Sequence, residues 1–188
     1  RFIKSLKSKH ISTSNTCGAT DLEISTWKEF SVGELFDIFN GKGITQEEIE
    51  QNPGDFVAVQ SGEEGNGCIG KISKLYCKEV GYTYTEAPCL TVARSGSAGY
   101  VSFQQYGCVV GDSAKILLLK DRNHANKYVY LFMKTILMAN KYKYTYGRKV
   151  TEGKYLKEKV MLPAAKTGEP DWSYMETYIK NLPYGDKL

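Results

Sequence analysis

"CLTVARSGSAGYVSFQQYGCVVGDSAKILLLK" runs from Cys89 to Lys120 and decides the fold class. It holds four short apolar runs, "CLTVA" (89–93), "YVSFQ" (100–104), "CVV" (108–110) and "AKILLLK" (114–120), separated by the glycine-bearing stretches "RSGSAG" and "YGCVVGD". None of the runs is long enough for a packed helix. Short β-prone runs with glycine turns between them predict an antiparallel or mixed sheet closed into a barrel or sandwich.

Upstream, the pattern continues. "FVAVQ" (56–60) and "CIGKISKLY" (68–76) read as strands, joined by the loop "QSGEEGNGCIG" (60–70). "TQEEIEQ" carries a capping box, Thr45 with Glu48, and predicts a short helix before Pro53. In "WKEFSVGELFDIFNGKG", Ser31 caps one helical turn holding Val32 and Leu35, and "FDIF" alternates as a strand that stops at Gly41.

Downstream, the spacing of Tyr128, Leu131, Phe132 and Ile136, and of Val129, Met133 and Leu137, predicts a helix over 126–140. "KVMLP" (159–163) reads as one more strand. "EPDWSYMETYIKNL" reads as a helix capped near Asp171, with Trp172, Met175, Ile179 and Leu182 on one face. The expected organisation is 1–26 as a linker or the end of a preceding element, 27–163 as the domain proper, and 164–188 as a C-terminal helix and tail.

Composition narrows the function classes. Lys+Arg 25 against Asp+Glu 21 gives +4, with a sequence pI near 8.7. The excess is concentrated: between 141 and 159, Lys141, Lys143, Arg148, Lys149, Lys154, Lys157 and Lys159 face only Glu152 and Glu158. Arg1, Lys4, Lys7 and Lys9 make the N-terminus basic too. The cysteines, Cys17, Cys68, Cys77, Cys89 and Cys108, are odd in number, widely spaced and without a CxxC pair. That argues against a disulfide scaffold or a zinc site and for reduced thiols in a cytoplasmic protein. His10 and His124 lie near no second metal-type ligand. No apolar run reaches membrane-spanning length and no signal peptide is visible. The chain starts at Arg1, so it is expected to be a piece of something longer. No catalytic signature is found: GxSxG, HExxH, a Walker loop, PD-(D/E)xK and an NPPY-type motif are all missing.

Four segments carry candidate binding residues. "KYKYTYGRKVTEGKY" (141–155) is poor in aliphatics, and from it alone no contribution to a core is expected. Its cations suit phosphates. Lys141, Lys143, Lys149 and Lys154 are expected to hold the backbone. Arg148 can reach guanine O6 and N7 together, and Tyr146 and Thr151 can add edge contacts. The bland reading is a solvated strand edge blunted by lysines. In "ARSGSAGYV" (93–101), Arg94, Ser95 and Ser97 are candidates beside glycines that allow close backbone approach. Its bland reading is a tight hairpin. The 60–70 loop supplies Asn66 and two glutamates able to accept from cytosine N4, and "NGKG" (40–43) supplies Lys42. The bland readings of these two are a flexible connection and a plain turn.

The order of these pieces resembles the target recognition domain of restriction–modification specificity subunits, with the type I S subunit as the closest class and type IIG and IIB enzymes related. "WKEFSVGELFDIFNGKG", "FVAVQSGEEGNGCIG", "TVARSGSAGYVSFQ", "YKYTYGRKV" and "KVMLPAAKTGEPDWSYMETYIKNLPYG" carry the resemblance, from Trp27 to Gly185. It implies an α+β fold: a twisted, mostly antiparallel sheet or part-barrel with packed helices. It also implies sequence-specific reading of a half-site in double-stranded DNA, with no catalysis or cofactor in this chain. Methyltransferase and restriction subunits or fused modules would be its partners, using S-adenosylmethionine and magnesium. The chain departs from the pattern in showing one domain and no long spacer helix, so a fragment or a single-domain version is expected. The competing reading is an RNA- or single-strand-binding module in which the tyrosines stack on bases.

Overall fold

The computed structural model describes residues 24–144 and 148–187, so the segment expected to be a linker lies outside the described residues except for a 3₁₀ turn at Ile24–Thr26. Strand β1 (Trp27–Ser31) pairs antiparallel with β10 (Lys159–Pro163). Between them lie two four-stranded sheets. The first has the order β2 (Phe36–Asn40), β9 (Ala114–Leu119), β6 (Cys89–Ala93), β7 (Val101–Gln104), antiparallel throughout. The second has the order β4 (Cys68–Ile72), β3 (Pro53–Val59), β8 (Cys108–Val110), β5 (Tyr84–Thr85). Its β3–β8 pair is parallel, so the α+β, mostly antiparallel expectation holds with one parallel pairing.

Strand β9 explains the architecture. Its residues Leu117 and Leu119 join Phe36, Leu90, Val92 and the apolar sides of α4 (Lys127–Met138) and α6 (Trp172–Asn181) in the largest core cluster. Its alternate residues Ala114 and Ile116 join Val59, Cys89, Cys108 and Val110, which ties the two sheets together. A strand covered on both faces reads as a continuous apolar run, as "AKILLL" does. A third cluster, with Ile49, Phe56, Ile72, Cys77 and Val109, fills the outer side of the second sheet beneath α2 (Gln46–Gln51) and α3 (Lys74–Val80). Because Met175 and Ile179 sit in the main core, α6 is part of the same packed body as the sheets.

Local signals place the helices. Both capping boxes form: Ser31 with Glu34 at α1 (Val32–Leu35), and Thr45 with Glu48 at α2. Asn126 accepts from the amides of Tyr128 and Val129 to start α4, and Asp171 accepts from Tyr174 to start α6. One expected strand is corrected. "CIGKISKLY" is a strand only to Ile72, and its second half begins α3. There the Ser73 hydroxyl accepts from the Tyr76 amide, and Gly81, at φ 72, closes the helix in the left-handed region. A short helix, α5 (Glu152–Tyr155), also appears where no element was expected. Cys68, Cys77, Cys89 and Cys108 are free thiols, and the buried Cys89 and Cys108 sulfurs lie 3.9 Å apart across the sheet junction.

Candidate nucleic-acid interface

The strand registers bring the predicted loops to one end of the two sheets. β2 and β6 end where β9 begins, as the pairs Asn40↔Lys115 and Ala93↔Ala114 record. β3 and β8 end side by side at Val59↔Val110, and β4 starts opposite Val59 at Cys68. The connections 41–45, 60–67, 94–100 and 111–113 therefore leave from the same end. Close approaches bind them there. The Gly111 amide donates to Val59 O at 2.8 Å, and the Gln60 side-chain amide donates to Ile44 O at 2.9 Å. Ser113 Oγ takes the Ser61 amide at 3.0 Å, and the Arg94 amide donates to Ser113 O at 2.7 Å.

The basic segment docks onto the same end. The Val150 amide donates to Arg94 O at 2.9 Å, and Asn40 Nδ2 donates to Glu152 Oε2 at 2.8 Å. A Cβ on Gly99 would lie 2.7 Å from the Tyr144 ring, so the 94–100 turn and the basic segment are in tight contact. The expectation that this segment adds nothing to a core is overturned: Val150 and Tyr155 are buried in the main cluster and Tyr144 packs against it. Among the described residues it is also not a strand edge: it forms a 3₁₀ turn at Lys141–Lys143 and the short helix α5. Burial first, and then the Glu158 carboxylate, push the Tyr144 hydroxyl above its ordinary range. Tyr144 and Tyr155 are thus packed side chains and not stacking platforms, whereas Tyr142 is 74 % exposed.

The candidates differ in what they already hold. Lys141 pairs with Glu63 at 2.5 Å and lies over the Tyr100 ring at 5.4 Å; Lys143 pairs with Glu158 at 2.6 Å. Ser97 and Glu63 line one shallow groove. Lys42 Nζ donates to Gly81 O at 2.6 Å. Arg94 spends one guanidinium nitrogen on Asp112 O at 3.3 Å. Ser95 is half-buried in the turn at Gly96. Asn66 is held at φ 57, its carbonyl taking Gln104 Nε2 at 3.0 Å, with its side chain exposed. Arg148, Lys149, Thr151 and Lys154 are exposed, and none of these three cations is ion-paired among the described residues. Tyr146 lies outside the described residues.

One residue at this end gave no motif. Lys115 is only 5 % exposed, on the helix-covered face of β9, with its ammonium on Asn40 Oδ1. Burial, reinforced by the Arg94 charge, lowers its pKa, and Glu152 partly opposes this. The signal available was a lysine at a position whose alternation partners, Leu117 and Leu119, are core residues. Between the 60–67 and 94–100 loops lies a shallow groove of about 370 Å³ lined by Ser61, Glu63, Gly67, Ile69 and Ser97. Among the described residues no group of side chains could hold a metal ion, and no helix is long and apolar enough to cross a membrane.

A family model described as the type I restriction modification DNA specificity domain matches residues 24–183. The chain is 29 % identical over 157 residues to the specificity subunit S.BcgI of a type II restriction enzyme from Heyndrickxia coagulans, covering 84 % of this chain and 43 % of that protein. Its fold is similar to the S subunit of a type I restriction–modification system from M. genitalium, with TM-score 0.60, 16 % identity, and 82 % of this chain and 38 % of that one covered. It is also similar to the HsdS subunit from Thermoanaerobacter tengcongensis, with TM-score 0.55, 11 % identity, and 86 % and 37 % covered. The chain thus spans less than half the length of these relatives. By its sequence and by the loops its sheets bring together, the chain belongs to the family of type I restriction modification DNA specificity domains.

Proposed function

We propose that residues 27–163 read one half of a split target in double-stranded DNA, with 164–188 forming a C-terminal helix and tail whose helix packs on the reading domain. The observation that carries this is the convergence of the 60–67, 94–100 and 148–154 segments at one sheet end, with Arg148, Lys149 and Lys154 exposed there. Phosphate contacts from Lys149 and Lys154 set the register, and the planar forks of Arg94 and Arg148 read base edges. Ser95, Asn66 and Thr151 add polar contacts, with Lys42 at the flank. Methylation and cleavage belong to methyltransferase and restriction modules. The methyltransferase flips its target base while this domain holds the duplex.

The test is selection from a random duplex pool at two salt concentrations, with single-stranded pools in parallel. One short duplex motif should be enriched, and log K should fall steeply with log salt. A preference for single strands without sequence enrichment would overturn duplex reading in favour of base stacking.

A further inference from the structure

The 60–67 loop presents the exposed Glu63 and Glu64 at the end that also carries Arg148, Lys149 and Lys154. Glu63 Oε1 accepts from Lys141 Nζ at 2.5 Å, and Glu63 lines the same shallow groove as Ser97. One glutamate of the 60–67 loop therefore holds a lysine of the basic 141–155 segment. The Lys141 bond is the first cause that draws the Glu63 carboxyl below its ordinary value. The base of the loop is closed independently: the Gln60 amide donates to Gly67 O at 3.0 Å, and Gln104 holds Asn66 O at 3.0 Å. Glu63 sits just ahead of three successive left-handed residues, Gly65, Asn66 and Gly67, at φ 54, 57 and 74. It is exposed. The carboxylate can therefore swing away without opening the sheet.

We propose that Glu63 is a specificity-determining residue: it occupies Lys141 as a phosphate would, so that a duplex must displace it before that ammonium engages DNA. This rests on the duplex-reading function proposed above. A carboxylate and a phosphate oxygen offer the same acceptor to an ammonium. On a random duplex, displacing Glu63 returns one phosphate contact for one lost ion pair, and little is gained. On the target, base contacts by the same loops supply the difference. The clasp weakens non-specific binding more than specific binding.

The experiment compares Glu63→Gln, Glu64→Gln and Lys141→Ala, and the Glu63→Gln/Lys141→Ala double variant, on a short duplex of random sequence and on the selected target. Glu64→Gln makes the same charge change at a neighbour that pairs with no cation among the described residues. Glu63→Gln should tighten random-duplex binding several-fold beyond Glu64→Gln and steepen the salt slope by about one, the signature of one further lysine–phosphate contact. The ratio of target to random affinity should fall, and the gain should vanish in the Lys141→Ala background. Equal effects of Glu63→Gln and Glu64→Gln would reduce the residue to general charge and overturn the inference while leaving duplex reading intact. If neither the parent chain nor Glu63→Gln binds any duplex, duplex reading itself fails and the inference falls with it.

Discussion

The backbone amide of Val150 donates to the carbonyl of Arg94 at 2.9 Å. This bond joins the segment of the half-buried Arg94 to that of the exposed Arg148, and the buried Val150 side chain anchors it in the main core. Arg148 and Lys149 are therefore presented from a fixed point, two residues and one residue away. A fixed base is what geometric readout needs, because a bidentate contact tolerates little displacement.

Arg148→Ala and Lys149→Ala should then differ in kind. Losing a bidentate base contact should cost about 1–3 kcal/mol on the target and relax specificity at one position. Losing a phosphate lysine should weaken target and random duplexes alike and lower the salt slope by about one. Binding of both variants to a panel of duplexes at two salts checks this. Equal weakening of every duplex by Arg148→Ala would reassign base reading to Arg94.

Gly99→Ala should disturb both stability and binding. Gly99 sits at φ 81, and an added Cβ would stand 2.7 Å from the Tyr144 ring. The left-handed conformation alone costs an alanine roughly 1–2 kcal/mol. The unfolding free energy from denaturant melts should fall by that amount or more, lowering the midpoint with an unchanged slope, and target affinity should drop as the ring and the basic segment are pushed aside. An unchanged midpoint would show that the contact is loose.

Lys115→Met should separate stability from function. A buried ammonium is costly, and replacing buried charge by an apolar side chain is often neutral or stabilising by about 1–4 kcal/mol. Asn40, freed of Lys115, is exposed and can turn to water and Glu152. Thermal stability should hold or rise, while duplex affinity falls because one weakly screened positive charge beside Arg94 is gone. Reduced thermal stability in this variant would mean that the Lys115–Asn40 bond outweighs the desolvation.

Acid sensitivity should trace partly to Glu48. It caps α2 and accepts from Tyr82 and Tyr76. The Tyr82 hydroxyl first, then the Thr45 amide and hydroxyl, lower its pKa from 4.5 to about 2. A carboxyl lowered on folding contributes stability that is complete above 4.5 and lost as pH falls toward 2. Glu48→Gln should therefore be less stable than the parent at neutral pH, with the gap closing across that window. Urea midpoints against pH measure it, and a constant gap would assign the loss to packing instead.

The elements whose signals are local could be read from the residues alone. Ser31 with Glu34 and Thr45 with Glu48 make their caps within one turn, and the turns beside "CLTVA", "YVSFQ" and "CVV" hold Gly96, Gly99 and Gly107 at positive φ. The same locality misled at "CIGKISKLY", where an apolar run hid the Ser73 cap, and at "KYKYTYGRKVTEGKY", where few aliphatics did not forbid burial of Val150 and Tyr155. The candidate loops could be found as glycine-rich or basic stretches. Only the strand registers put 60–67, 94–100 and 148–154 at one end. Only the folded chain decides which charges are spent: Lys141 meets Glu63 across 78 residues of sequence, and Asn40 meets Glu152 across 112. Composition counts those cations as equal, but the attraction between charges decays with distance in space and is blind to distance along the chain.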